Sequence, residues 1–146
     1  MNHDLHDSVR DQASASHQRL EDARVLLRAS RWRGAMYIAG YAVECLLKTK
    51  LMQIYECQNL RELEAELQRR SILSGHSTVF THQLEELFKL TPGYNRLRQN
   101  QNMVSLFNLV NRWTPKWRYT RQTTGDAATF FIEAVEEVML WISNNI

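Results

Sequence analysis

The chain has 146 residues and a formal net charge of +2, enough for one domain with a full hydrophobic core and no metal or disulfide to staple it. Its 44% hydrophobic and 23% charged content excludes a disordered or collagen-like chain, and only 5 Gly and 2 Pro favour long helices over a strand-and-turn fold. Two cysteines, Cys45 and Cys57, are too few for a disulfide framework and point to a reducing compartment, so the protein is expected in the cytoplasm.

Residues 1–13 are polar and read as a flexible N-terminal arm, with 14–146 as a single helical domain. The arm lacks a basic region followed by an apolar run, so it is not expected to be a signal peptide. Ser14 or Ser16 can cap a first helix to about Ala29, with Leu20, Ala23 and Leu27 at helical spacing. After a short arginine-rich link, Gly34 opens a central helix to Tyr55. This helix is apolar nearly all round, which marks a buried element. Glu44, Lys48 and Lys50 interrupt it, so no membrane span is expected. Tyr37, Tyr41, Glu44 and Lys48 fall on one stripe of it. Ala35, Ala39, Ala42 and Leu46 lie opposite.

Asn59 with Glu62 resembles a capping box for a helix to about Arg70, with Leu60, Leu63 and Leu67 inward. Residues 71–80 read as loop. Thr81 is placed to cap a short helix from His82 to Leu90, ended by Thr91-Pro92-Gly93. Asn100 or Asn102 precedes a stripe of Met103, Leu106, Phe107, Val110 and Trp113, which Pro115 stops. Residues 116–125 read as irregular, basic and aromatic. Asp126 is placed to cap a last helix whose face is Phe131, Ala134, Val135, Val138 and Ile142. The fold class expected is all-α, an up-and-down bundle of four long helices plus one or two short helices.

Charge is unevenly spread. Residues 87–125 contain no Asp or Glu but carry Lys89, Arg96, Arg98, Arg112, Lys116, Arg118 and Arg121. Within that block, residues 113–121 interleave Trp113, Trp117 and Tyr119 with Lys116, Arg118 and Arg121. Cations can meet phosphate, and aromatic rings can stack on bases. The plainer reading makes both tryptophans core and the charges merely solvated. Glu44 on an apolar helix needs a partner, because an isolated buried carboxylate is costly. Lys48, four residues on, is one candidate. Arg118, across the bundle, is the other. His82 reads either as a structural residue beside a helix cap or as a polar group lining the same seam. No glycine-rich phosphate loop, Cys-x-x-Cys or His-Glu-x-x-His is present, and the five histidines are scattered. No metal or cofactor is expected.

At this point the residues resemble the HEPN domain family. The arginine-rich link, the run from Ala35 to Leu51, Thr81-His82-Gln83-Leu84, and Trp113 with Arg118-Tyr119 carry the likeness, over residues 14–145. The resemblance implies a helical bundle that forms a homodimer. It also implies a role in nucleotide or RNA biology within toxin–antitoxin, defence or stress systems, often beside a nucleotidyltransferase or another effector protein. Ribonuclease members carry Arg, four to six residues, then His near the last helix. Here no histidine follows His82, so Arg112, Arg118 and Arg121 have no such partner. Arg70 with His76, and Arg10 with His17, fit the spacing elsewhere in the chain.

The function expected is therefore that of an accessory protein binding nucleotide or RNA phosphate. Arg118, Lys116, Arg121 and Lys48 would make the contacts, positioned by Glu44, Tyr119, His82 and Trp113. A metal-independent ribonuclease using Arg70 and His76 is the enzymatic alternative. A third reading is an interaction module whose basic block docks an acidic protein.

Overall fold

The computed structural model describes residues 8–119 and 123–146. It is all-α, with no strand among the described residues. Among the described residues seven helices run in order: α1 Val9–Arg28, α2 Trp32–Ile54, α3 Leu60–Arg69, α4 Leu84–Lys89, α5 Tyr94–Arg98, α6 Gln101–Val110 and α7 Gly125–Asn145. A 3-10 turn, Pro115–Tyr119, lies between α6 and α7.

Helices α1, α2, α6 and α7 form the bundle. The link at residues 29–31 folds α1 back along α2, where buried Ser16 donates to the Ala42 carbonyl at 3.2 Å. At one end, the Trp32 indole lies 3.1 Å from where a Gly125 Cβ would be. At the other, Lys50 Nζ donates to the Ile146 carbonyl at 3.3 Å. Thus α2 and α7 run the same way. The end of α6 meets the start of α7 around Leu109 and Phe130, so those two helices run oppositely. Small residues let the helices close on α2: Ala35, Ala39 and Ala42 are fully buried, as are Val43, Leu47 and Leu51.

Cap chemistry explains where the elements start. Asn59 accepts from the Glu62 amide at 2.8 Å and Asn100 from the Met103 amide at 3.1 Å, as their sequence patterns predict. Three of the long helices start elsewhere than expected. Helix α1 begins at Val9, capped by Ser8 accepting from the Asp11 amide at 3.0 Å. Residues 9–13, read as arm, are therefore helical, because Ser8 with an acid in the first turn outcompetes Ser14 and Ser16 as a cap. Thr124, not Asp126, caps α7, accepting from the Ala127 amide at 3.1 Å. Helix α2 starts at Trp32, two residues before Gly34.

Other differences concern the short elements. His82 precedes α4 rather than opening it, since the Thr81 hydroxyl accepts from the Gln83 amide at 3.1 Å and holds the chain extended there. Helix α5 had no sequence signal: it forms where Gly93 lets Ile146 approach, a Cβ there lying 2.6 Å from the Ile146 side chain. Helix α6 ends at Val110, so Trp113 lies beyond it. The segment read as irregular begins as the 3-10 turn that Pro115 opens.

Helices α1, α2 and α3 end alike. Arg31 N–H bonds the Leu26 carbonyl, Cys57 N–H the Met52 carbonyl and Ile72 N–H the Leu67 carbonyl, the closure that ordinarily places glycine in the left-handed region. Here Ser30, Glu56 and Ser71 occupy it, at φ 60°, 55° and 59°.

Both cysteines are free and buried. Burial first, then the nearby Glu44 carboxylate, pushes the Cys45 thiol up to about 11. A thiol held protonated is a poor nucleophile. Cys45 is expected to resist iodoacetamide at neutral pH in the native state and to react at once in denaturant, as read by mass spectrometry.

Candidate functional site

The polar stripe of α2 is real, and it faces the segment between α6 and α7. At its buried centre, Glu44 and Lys48 are 5% and 6% exposed. Lys48 Nζ donates to one carboxylate oxygen of Glu44 at 3.0 Å. The other oxygen lies 2.7 Å from His82 Nδ1. Both oxygens are thus engaged, which is what keeps so deep a carboxylate tolerable.

His82 arrives from the long loop between α3 and α4. Glu64 on α3 clamps that loop, accepting from the Thr78 hydroxyl and the Val79 amide, both at 2.8 Å. Val79 is fully buried beside it. The clamp fixes the path of residues 80–82 and delivers the His82 ring to Glu44. With Nδ1–H donated to the carboxylate, Nε2 is the free nitrogen. It has no hydrogen-bond partner among the described residues.

Trp113 closes the other side. It is 5% exposed, and its Nε1–H donates to the Tyr37 carbonyl at 2.9 Å. The indole lies flat on the backbone at Gly40, where a Cβ would come within 2.1 Å of the ring. Tyr41 meets the Trp113 ring edge-on at 4.8 Å between centroids and the His82 ring at 5.8 Å. The Tyr37 hydroxyl donates to that of Tyr41 at 3.3 Å. Burial first, then the hydrogen bond it shares with the Tyr37 hydroxyl, pushes the Tyr41 phenol well above the usual tyrosine range; Glu44 raises it further and Arg118 lowers it.

Arg118 is therefore on the seam's side of the bundle, as expected, but it is not the partner of Glu44. Its guanidinium lies 4.8 Å over the Tyr119 ring, and Tyr119 and Tyr37 raise its pKa. His82 and Lys48 occupy the position that the sequence reading offered to Arg118. The reason is the Glu64 clamp, a loop path that helical periodicity does not encode.

The site residues separate into two groups. Glu44, Lys48 and Trp113 are buried and build the wall, which corrects the expectation that Lys48 contacts phosphate and that Trp113 offers a stacking face. Lys116, Arg118 and Tyr119 are exposed, Tyr119 at 77%. Arg121 lies outside the described residues. A groove of about 590 Å³ runs between the His82 segment and the 3-10 turn, lined by Phe80, His82, Glu85, Trp113 and Lys116 among others.

Arg70 and His76 are not brought together. Arg70 bonds Glu66 at 2.6 Å and lies 5.3 Å over the Tyr55 ring. Bonds from Arg69 and then Arg70 pull the Glu66 carboxyl down to about 2. His76 is exposed and lines a separate groove, with Ile72, Thr78 and Lys89, that does not include Arg70.

Among the described residues, no group of three His, Cys, Asp or Glu side chains is placed to hold a metal. No helix among them is long and apolar enough to cross a membrane. Sequence reasoning missed Gly40, whose only signal is a glycine in the middle of a strong helix, and Glu64, which looks like any exposed helical acid. Comparison with family models, with curated proteins and with solved structures gave no match.

Proposed function

We propose that the protein binds the phosphate of a nucleotide or RNA along the edge formed by Lys116, Arg118 and Tyr119. One observation carries this reading: Arg118 is an exposed cation on a short turn whose root, Trp113, is locked onto α2. A fixed guanidinium beside an exposed aromatic ring suits phosphate with an adjoining base. His82 borders the same edge. The resemblance to HEPN domains supports an accessory role in a toxin–antitoxin, defence or stress system. There the protein would act as a homodimer or with a nucleotidyltransferase or another effector, in the cytoplasm. Arg118→Ala is expected to weaken nucleotide or RNA binding about tenfold or more, the range for a lost charge-assisted hydrogen bond. Equilibrium titration of a labelled nucleotide checks this, and unchanged affinity would sink the proposed edge.

A second reading, metal-independent RNA cleavage, draws on a different observation. The buried Glu44 carboxylate orients His82 and leaves Nε2 as a proton acceptor at the groove. This moves the alternative from Arg70 and His76 to His82. Under that reading RNA is cut in the presence of EDTA, and His82→Ala abolishes cutting while His76→Ala does not. Intact RNA after prolonged incubation with wild type removes it.

A further inference from the structure

The His82 groove carries groups of both charges. Lys116 lines it from the 3-10 turn, and Glu85 and Glu86 line it from α4. The Lys116 ammonium has no hydrogen bond or ion pair among the described residues. Glu85 already accepts from the Tyr94 hydroxyl at 3.2 Å. The Glu86 carboxylate is half-exposed and accepts no hydrogen bond among the described residues; its ion-pair partner is Lys89, 3.6 Å away.

Two uncharged side chains complete the groove. Asn111 Oδ1 accepts from the Glu85 amide at 3.2 Å. That bond fixes which way the side-chain amide points and leaves its Nδ2 hydrogens without an acceptor among the described residues. Phe80 is 52% exposed, and the Glu64 clamp on Thr78 and Val79 holds the chain at its root. The groove thus gathers an aromatic ring, a carboxylate with both oxygens open to donors, an amide donor and a cation. Its volume of about 590 Å³ is that of a small-molecule site.

Of the RNA bases, guanine matches that set. Its N1–H and 2-amino group are adjacent donors, which the two oxygens of one carboxylate accept side by side, and its O6 accepts from an amide. Adenine and cytosine set one amino group beside a ring acceptor, which a carboxylate repels. Uracil has a single N–H between two carbonyls. An arginine or lysine side chain of a protein would satisfy the acids, but Lys116 and Asn111 would then have a donor set against them.

We infer that the His82 groove recognises the guanine of a nucleotide: Glu86 accepts from N1–H and the 2-amino group, Asn111 donates to O6, Phe80 stacks on the ring and Lys116 holds phosphate. The phosphate contact rests on the proposed edge of Lys116, Arg118 and Tyr119. The base contacts rest on Glu86, Asn111 and Phe80 alone.

The test is titration of the full chain with GMP, IMP, AMP and guanosine, followed by ligand NMR up to millimolar concentration. IMP is GMP without the 2-amino group. GMP is expected to bind about tenfold tighter than IMP, the range for one charge-assisted hydrogen bond, and tighter than AMP. Glu86→Gln should erase the preference for GMP and leave AMP unchanged. Asn111→Asp keeps the oxygen that accepts from the Glu85 amide but removes the donor to O6, and should weaken GMP about tenfold. Phe80→Ala should weaken every nucleotide about fivefold or more, the loss typical of one stacked base. Phe80 and Glu86 are surface residues, and thermal melts establish that all three variants fold. If GMP, IMP and AMP bind alike and Lys116→Ala weakens all of them equally, the base site is refuted and the phosphate edge stands. If guanosine binds as tightly as GMP and neither Lys116→Ala nor Arg118→Ala has an effect, the phosphate edge is refuted and the base site stands. A GMP preference that survives Glu86→Gln overturns the inference. So does absence of binding by all four ligands, whatever the Arg118 titration shows.

Discussion

Glu44→Leu is expected to destabilise the protein by about 3–5 kcal/mol, the cost of leaving one half of a buried ion pair without its partner. Lys48 is 6% exposed, and its ammonium has no hydrogen bond among the described residues other than the one to Glu44. With leucine at 44, that charge is stranded in the core. The loss should appear as a lower urea midpoint with an unchanged slope. The double variant Glu44→Leu with Lys48→Met removes both charges and keeps the volume. It is expected to recover most of the lost stability, since apolar replacement of a whole buried pair is often neutral or better. The double variant also separates folding from function, because His82 then lacks its anchor in a protein that still folds. If Glu44→Leu alone unfolds at the wild-type midpoint, the pair is not buried in solution.

Gly40→Ala is expected to cost about 1–3 kcal/mol, the range for overpacking a filled core. The added methyl would come within 2.1 Å of the Trp113 ring. That ring cannot simply swing away, being held by its hydrogen bond to the Tyr37 carbonyl and by contact with Tyr41. Gly34→Ala in the same helix is the control. There the new Cβ meets only a Leu26 methyl at 3.8 Å, and alanine should stabilise by about 0.5–1 kcal/mol through helix propensity. One substitution type at two positions of α2 should therefore shift thermal melting in opposite directions. Equal shifts would mean that Trp113 does not sit on Gly40. Because Trp113 roots the 3-10 turn, Gly40→Ala should also weaken nucleotide or RNA binding, if Arg118 binds it, without touching an exposed residue.

What was legible in the sequence followed periodicity and caps. The α2 stripe of Tyr37, Tyr41, Glu44 and Lys48 needs only the helical repeat, and the Asn59 and Asn100 caps need only a side chain that accepts from an amide three residues on. The start of α1 was misjudged because that helix is polar and buries little beyond Ser16 and Ala23, so its apolar pattern is faint where it begins. The partner of Glu44 was misjudged for a different reason. His82 reaches it along a loop fixed by Glu64, at a separation of 38 residues, and no local pattern encodes a loop's path.

Three helix ends carry Ser30, Glu56 and Ser71 in the left-handed region, and all three are exposed. An L-residue there gives up about 1–2 kcal/mol that glycine would not. The fold thus holds an unused reserve of stability at positions away from the Glu44 seam and from the edge of Lys116, Arg118 and Tyr119. A variant weakened by Gly40→Ala could be returned to its original melting temperature by glycine at Glu56 and Ser71. Loss of binding could then be measured at matched stability, and attributed to the displaced turn rather than to a loosened protein.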